Sequence, residues 1–211
     1  MKSKKQLLKN WKIYVILDNS LVADKQELLK IFFNLLESPV DAIQLRFENI
    51  TDFSVYRVAE KMVAKAKRKN LALIINDRPE IALSLHADGV HLGKADVSAA
   101  LARKILGSGA IIGKTIRNER DFKAINKRDV DYAAIGPVFA TPLKPGLKSV
   151  SSSVLQDLCR KNILPLVAIG GINDRNIDQI TSRGIRTVAF ARYAFARGNT
   201  KQRIEKLRSK I

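Results

Sequence analysis

The fold is decided by two neighbouring stretches, residues 71–77 (LALIIND) and residues 87–96 (ADGVHLGKAD). The first stretch is an apolar run that stops abruptly at Asn76 and Asp77, and the second is a shorter run that is soon followed by Asp96. In parallel α/β proteins, apolar strands that end in polar clusters deliver functional side chains to one end of the sheet. The two stretches therefore predict parallel strands whose carboxyl ends lie side by side.

The same alternation of apolar strands and amphipathic helices extends along the whole chain. The predicted strands are residues 13–17, 42–45, 71–75, 89–92, 110–113, 132–136, 164–169 and 186–191. The predicted helices are residues 24–37, 52–69, 79–85, 98–106, 119–127, 152–160, 174–182 and 200–209. Eight β/α units without a linker predict a single α/β domain over residues 1–211, a (β/α)8 TIM barrel with a basic N-terminal arm at about residues 1–12. An open doubly wound sheet is the alternative, but residues 18–20 (DNS) are not its glycine-rich turn.

Composition limits the class of protein. Hydrophobic residues make up 46% of the 211 residues, which is enough for a sizeable core. Cys159 is the only cysteine, so a disulfide framework is excluded and a reducing compartment is expected. No apolar run reaches the roughly 20 residues that span a membrane, and the N-terminus lacks the apolar segment of a signal peptide. We therefore expect a cytoplasmic protein without a membrane partner.

The formal net charge is +18, because 38 lysines and arginines outnumber 20 acidic residues. The basic residues are spread along the chain, with modest clusters at residues 65–69 and 201–210. No aromatic-interleaved patch or nucleic-acid motif accompanies them, so nucleic-acid binding is not expected as a main role. Small anionic substrates are a simpler expectation for such a surface.

In a barrel, the residues that follow the strands share one rim. The candidate functional residues at that rim are Gln44, Arg46, Asn76, Asp77, Asp96, Thr115, Thr141, Lys144, Gly170, Gly171 and Arg192. Two carboxylates without a cysteine or histidine cluster suit a hard cation such as Mg²⁺. Alternatively, Asp77 and Asp96 could each cap the helix that begins two residues later. The rim holds no Ser/His/Asp set for nucleophilic catalysis.

Two glycines point to a second kind of site at the same rim. Gly170 and Gly171 precede a predicted helix, and backbone amides at such a position favour a phosphate group. Barrels often bind phosphate after strands seven and eight. The alternative is that Gly170 and Gly171 form a plain tight turn. Lys144, which lies between two prolines, could likewise be an ordinary exposed lysine.

In their order and spacing, several segments resemble the thiamine phosphate synthase and thiazole tautomerase family over nearly the whole chain. The matching segments are residues 44–46 (QLR), 75–78 (INDR), 87–93 (ADGVHLG) with Asp96, 131–132 (DY), 136–139 (GPVF) with Thr141 and Lys144, and 168–172 (AIGGI). The resemblance implies a transferase that couples hydroxymethylpyrimidine diphosphate with hydroxyethylthiazole phosphate, giving thiamine phosphate and pyrophosphate. The diphosphate leaves first and a stabilised pyrimidine carbocation forms, so the reaction needs no protein nucleophile.

The resemblance also implies roles for individual residues. Asp77 and Asp96 would hold Mg²⁺, and Asn76, Thr115 and Lys144 would be catalytic. The residues implied in substrate binding are Gln44, Arg46, Glu48, Asn76, Thr115 and Lys144 for the pyrimidine diphosphate, and Thr141, Gly170, Gly171, Ala191 and Arg192 for the thiazole phosphate. A homodimer is usual in the family.

The sequence departs from the family pattern at the proposed site. Glu48 stands where a lysine is expected, Leu143 replaces a threonine, and Arg192 replaces a serine. A carboxylate about 5 Å from a diphosphate costs roughly 3 kcal/mol at an effective dielectric near 20. Lys94, in place of a usual glutamine, is a candidate for a compensating cation.

The departures keep two other functions open. One is a thiazole tautomerase-like relative, which needs a general base, although residues 113–118 (GKTIRN) lack the histidine expected there. The other is a non-catalytic barrel that only binds a phosphorylated ligand. The intact pair of Asp77 and Asp96 favours the synthase over both.

Overall fold

The structure is a computed structural model that describes residues 4–143, 146–196 and 198–211. Eight parallel strands close into a barrel in which each strand pairs with its neighbours in sequence and the last pairs with the first. The strands are β1 (Ile13–Asp18), β2 (Ala42–Arg46), β3 (Ala72–Asn76), β4 (Gly89–Leu92), β5 (Ile111–Ile116), β6 (Tyr132–Ile135), β7 (Leu166–Ile169) and β8 (Thr187–Phe190). The predicted (β/α)8 barrel is confirmed.

Helices follow the strands largely as the sequence predicts. They are α1 (Lys4–Leu7), α2 (Lys25–Leu36), α3 (Asp52–Arg68), α4 (Pro79–Ser84), α5 (Ala99–Leu106), α6 (Glu119–Lys123), α7 (Ser152–Lys161), α8 (Asp178–Thr181), α9 (Arg192–Phe195) and α10 (Thr200–Arg208). None of the helices in the described ranges has the length and apolarity that a bilayer crossing requires.

Two helices are shorter than the sequence predicts. Helix α8 was expected from residue 174, but Asn173 Oδ1 accepts the backbone N–H of Arg175, and Asn176 Oδ1 accepts that of Asn173. Helix α6 was expected to reach residue 127, but Asn126 Oδ1 accepts the N–H of Arg128. Asparagine side chains that bond nearby backbone groups compete with the helix, which explains both differences.

The N-terminal segment, expected as a basic arm, is ordered against the barrel. Helix α1 continues into a 3-10 turn over Leu8–Asn10, and the side chains of Leu8 and Trp11 are buried in the cluster that fills the barrel. The ring centroid of Trp11 lies 5.6 Å from that of Tyr14 and 6.1 Å from that of Tyr132. This segment therefore covers the amino-terminal end of the barrel.

Three aspartates fix the strands at the same amino-terminal end. Asp41, Asp88 and Asp131 immediately precede β2, β4 and β6, and their carboxylates accept backbone N–H groups from the start of β1, β3 and β5 at 2.8–2.9 Å. Such charge-assisted bonds are among the stronger ones in proteins. Because they brace the strands from below, the opposite rim is left available for function.

Side chains alternate along each strand between the barrel interior and the layer of helices. Tyr14, Ile74 and Tyr132 belong to the interior cluster, whereas Ile13, Leu73 and Ile135 pack in the outer core. The same alternation turns the polar residues near the strand ends, such as Gln44 and Asn76, toward the interior. The position of a residue within its strand thus decides whether its side chain faces the barrel interior or the helices.

Candidate active site

A cavity of about 650 Å³ opens at the carboxyl ends of the strands, here called the carboxyl rim. This volume is typical of small-molecule sites. The cavity brings together most of the residues that the sequence analysis singled out. Those that line it are Gln44, Arg46, Asn76, Asp77, Asp96, Thr115, Thr141, Gly170, Gly171, Ala191 and Arg192.

Three further candidates stand differently. Lys144 is outside the described residues. Glu48 does not line the cavity, and its carboxylate instead pairs with the guanidinium of Arg46. Lys94 lines the cavity, but its Nζ lies 3.7 Å from Oδ1 of Asp121. Because the Glu48 carboxylate is 43% exposed and already paired with Arg46, the full repulsive penalty expected from the sequence does not apply. Lys94 has a carboxylate neighbour of its own.

Asp77 and Asp96 meet at the rim, where their carboxyl groups lie within hydrogen-bonding reach of each other. Burial, followed by the hydrogen bond and the charge of Asp96, raises the pKa of Asp77 to about 7, against the opposing charges of Arg46 and Arg78. Two carboxyls so close together cannot both ionise freely. A cation that neutralises both would relieve this repulsion.

Neither aspartate caps a helix. The residue that precedes α4 is Arg78, which makes no side-chain capping bond, and Ser98 caps α5 through a 3.2 Å bond from the N–H of Leu101. Asp77 also has a φ of 65°, a left-handed conformation that is unusual for a residue other than glycine. Strained backbone of this kind concentrates at functional sites. The capping alternative is therefore wrong for both residues.

The residues at this rim fit Mg²⁺. Within the described ranges, no group of three or more histidines, cysteines, aspartates or glutamates could hold a metal ion. Mg²⁺ does not need such a cage, because it is usually held by one or two carboxylates and completes its shell with water and substrate phosphate. Asp77 and Asp96 provide two carboxylates beside open cavity space.

A lysine that the sequence analysis missed braces the loop that carries Asp96. The N–H of Gly93 donates to Oδ2 of Asp96 at 2.6 Å, and Nζ of Lys114 donates to the carbonyl oxygen of Gly93 at 2.5 Å. The pKa of Lys114 is lowered overall, because the effect of burial exceeds the opposing effect of the charges of Asp96 and Asp77. The available signal was a lone lysine inside an otherwise apolar strand, residues 111–116 (IIGKTI).

A chain of buried hydrogen bonds crosses the barrel below the cavity. Gln44 Nε2 donates to the hydroxyl of Tyr14 at 2.8 Å, and the hydroxyls of Tyr14 and Tyr132 lie 2.9 Å apart. The two ring nitrogens of His91 contact the Tyr132 hydroxyl at 3.0 Å and the Thr115 hydroxyl at 2.9 Å. Burial raises the pKa of both phenols, so they stay protonated. The chain fixes Gln44 and Thr115, both of which line the cavity.

The turn after β7 needs glycine for a steric reason. Gly170 and Gly171 have positive φ angles of 101° and 67°. A Cβ on Gly170 would lie 2.6 Å from Cβ of Pro137, and one on Gly171 would lie 2.6 Å from the carbonyl oxygen of Ala140. The turn therefore packs directly against the loop after β6. Both loops line the cavity beside Thr141, so the residues that were expected to bind a phosphate lie in the same space.

Comparisons with known proteins agree with this geometry. The family model described as thiamine monophosphate synthase matches residues 13–193. The thiamine-phosphate synthase of Clostridium novyi is 34% identical over 177 residues, covering 83% of this chain and 86% of that protein. The enzyme of Persephonella marina is 32% identical over 197 residues, covering 93% and 94%.

Two further comparisons concern length and structure. The thiamine-phosphate synthase of Thermosynechococcus vestitus is 33% identical over 189 residues, and the match spans 90% of this chain but only 52% of that longer protein. A solved structure of thiamine phosphate pyrophosphorylase from Pyrococcus furiosus superposes with a TM-score of 0.85 at 26% identity, covering 97% of this chain and 96% of that one. Taken with the site at the carboxyl rim, these matches show that the chain belongs to the thiamine monophosphate synthase family.

Proposed function

We propose that this protein is a thiamine phosphate synthase, a transferase that couples hydroxymethylpyrimidine diphosphate with hydroxyethylthiazole phosphate and releases pyrophosphate. The observation that carries the proposal is the acid pair of Asp77 and Asp96 at the rim of a cavity that also contains Arg46 and the Gly170–Gly171 turn. One cavity thus offers carboxylates for a cation and separate groups for two phosphorylated substrates. The family to which the chain belongs supports the same reaction.

Asp77 and Asp96 would hold Mg²⁺ on the diphosphate. When bound, Mg²⁺ supplies Lewis-acid stabilisation of the negative charge that develops on the leaving pyrophosphate. Arg46 and, by family resemblance, Lys144 add cationic groups for the same charge. Asn76, which is buried at the end of β3, presents its side-chain amide to this part of the cavity. These residues orient the leaving group without forming a covalent bond to it.

The pyrimidine ring is assigned to the inner part of the cavity. Gln44 and Thr115 are held there by the buried chain of tyrosines and His91, so their polar groups are oriented before substrate arrives. Ile16, Ile169 and Phe190 supply an apolar lining that excludes water. Exclusion of water protects a reactive carbocation from hydrolysis.

The thiazole phosphate is assigned to the opposite side, at Thr141, Gly170, Gly171, Ala191 and Arg192. Arg192 begins helix α9 and lines the cavity, so its guanidinium is available for a phosphate group. Binding both substrates in one cavity places the thiazole nitrogen near the pyrimidine methylene carbon, and proximity of this kind lowers the barrier without an acid or base. We also propose a homodimer, which light scattering would measure.

The direct test is turnover by the purified protein with both precursors and Mg²⁺. We expect thiamine phosphate and pyrophosphate in equal amounts, and we expect Asp77→Asn and Asp96→Asn to reduce the rate by at least about a hundredfold. Asp157→Asn is the matched control, because Asp157 is exposed on α7, outside the cavity. Binding of both precursors without product would instead indicate a non-catalytic barrel.

A further inference from the structure

Arg46 is the centre of an ion-pair cluster at the carboxyl rim. Its Nη1 pairs with Oδ2 of Asp18, and its Nη2 pairs with Oε1 of Glu48. Arg46, which forms both ion pairs, also lines the cavity. One positive charge therefore faces two negative charges, and the cluster as a whole is anionic.

The two carboxylates differ in what holds them. Asp18 is 1% exposed and also accepts the N–H of Ser20 at 2.9 Å and its hydroxyl at 2.7 Å. The side chain of Glu48 is 43% exposed. Because Asp18 is buried and held by several hydrogen bonds, it is a fixed partner of Arg46. The exposed Glu48 carboxylate, in contrast, can leave Arg46 and be hydrated at little cost in free energy.

The backbone nevertheless keeps Glu48 beside Arg46. Oδ1 of Asn19 accepts the N–H of Glu48 at 2.7 Å, and Nδ2 of Asn19 donates to the carbonyl oxygen of Glu48 at 3.1 Å. This paired contact ties the loop after β1 to the loop after β2. The Glu48 carboxylate is therefore tethered within reach of Arg46 even when it is not bound.

We propose that Glu48 competes with the diphosphate of the substrate for Arg46 and thereby lowers the affinity of the cavity for the diphosphate. The nature of the ligand rests on the proposed function, whereas the competition rests on the contacts of Arg46. A diphosphate that enters the cavity competes with the Glu48 carboxylate for the positive charge and the N–H donors of Nη2. The residue thus weakens binding of polyanionic ligands and sets the affinity of the pyrimidine diphosphate subsite.

The opposite role for Glu48 would be to hold Arg46 in a productive orientation. The two roles predict opposite effects of Glu48→Gln, which keeps the size of the side chain and removes its charge. Competition predicts tighter pyrophosphate binding, and an orienting role predicts weaker binding. Because exposed ion pairs contribute little, the expected gain is about two- to fivefold.

The experiment is calorimetric titration of the 211-residue protein with pyrophosphate in the presence of Mg²⁺. We expect Glu48→Gln to bind pyrophosphate about two- to fivefold more tightly than wild type, with a smaller gain at high salt because the competition is electrostatic. Glu37→Gln is the matched control. Glu37 follows the end of α2 and forms an exposed ion pair with Lys69 at 2.8 Å. Glu37→Gln therefore changes the net charge by the same amount as Glu48→Gln, but outside the cavity.

Kinetics give a second readout. We expect Glu48→Gln to lower the KM for the pyrimidine diphosphate while kcat and the KM for the thiazole phosphate stay within about twofold of wild type. Unchanged or weaker pyrophosphate binding by Glu48→Gln, or an equal gain in Glu37→Gln, would overturn the inference. Absence of thiamine phosphate from wild-type reactions would count against the proposed function alone, since pyrophosphate binding tests the competition without turnover.

Discussion

The carboxyl groups of Asp77 and Asp96, which follow adjacent strands, lie within hydrogen-bonding reach of each other at the carboxyl rim of the barrel. One of them must hold a proton for this contact to be stable, and the pKa of Asp77 is accordingly raised to about 7. Such an arrangement costs stability when both groups ionise. A divalent cation bound to both carboxylates would relieve this cost.

The first prediction concerns the pH dependence of stability without metal. Asp77 has a pKa of about 7 in the folded protein and 3.8 as its ordinary value. The folded state therefore binds more protons between these values, and the free energy of unfolding falls as pH rises through this window. Asp77→Asn removes the charge and should abolish this loss.

We expect Asp77→Asn to raise the free energy of unfolding by about 1 kcal/mol above pH 7, a value reduced for solvent screening because the side chain is only half-buried. The melting temperature would rise by about 2–4 °C at that pH and would change little near pH 4. Thermal denaturation at both pH values measures this, with Asp157→Asn as the control. A melting temperature that falls equally at both values would contradict the account.

The second prediction concerns Lys114, whose Nζ bonds the carbonyl oxygen of Gly93. Lys114→Met removes a charge-assisted bond of about 1.5–3 kcal/mol, so the loop over residues 93–96 should open more often. We expect amide hydrogen exchange in this loop to become at least about tenfold faster, whereas Lys114→Arg should preserve most of the protection. Equal exchange in wild type and Lys114→Met would show that the lysine does not brace the loop.

The third prediction concerns space beside the buried Tyr132. A Cβ on Gly113 would lie 2.0 Å from Cζ of the Tyr132 ring. Gly113→Ala should therefore lower the free energy of unfolding by about 1–3 kcal/mol. Gly109→Ala is the matched control, because a Cβ on Gly109 meets no heavy atom within 4 Å. Urea denaturation compares the two, and equal stability of the two variants would refute the steric explanation.

The barrel could be predicted from the sequence because apolar strands and amphipathic helices alternate regularly along the chain. Apolar runs of strand length recur eight times, and helices such as α3 carry Val55, Val58, Met62 and Val63 on one face. The positions of Asp77 and Asp96 followed from the same reasoning, since parallel strands bring their carboxyl ends to one rim. Local pattern and topology were sufficient for these residues.

Other features depend on contacts that no local pattern reveals. Leu8 and Trp11 fill the end of the barrel, although lysines dominate the composition around them. The backbone of Glu48, which pairs with Arg46, is held by Asn19, 29 residues earlier in the chain. Lys114, in β5, reaches Gly93 at the end of the adjacent strand β4. Each of these contacts requires the closed barrel before it can be seen.

The central claim is that Asp77 and Asp96 together hold the divalent cation on the diphosphate. The most direct measurement is a crystal structure of the protein with Mn²⁺ and pyrophosphate, in which anomalous scattering locates the metal. We predict one anomalous peak within about 2.0–2.3 Å of a carboxylate oxygen from each aspartate, with pyrophosphate oxygens completing the shell. A metal bound to pyrophosphate elsewhere in the cavity, with neither carboxylate among its ligands, would contradict it.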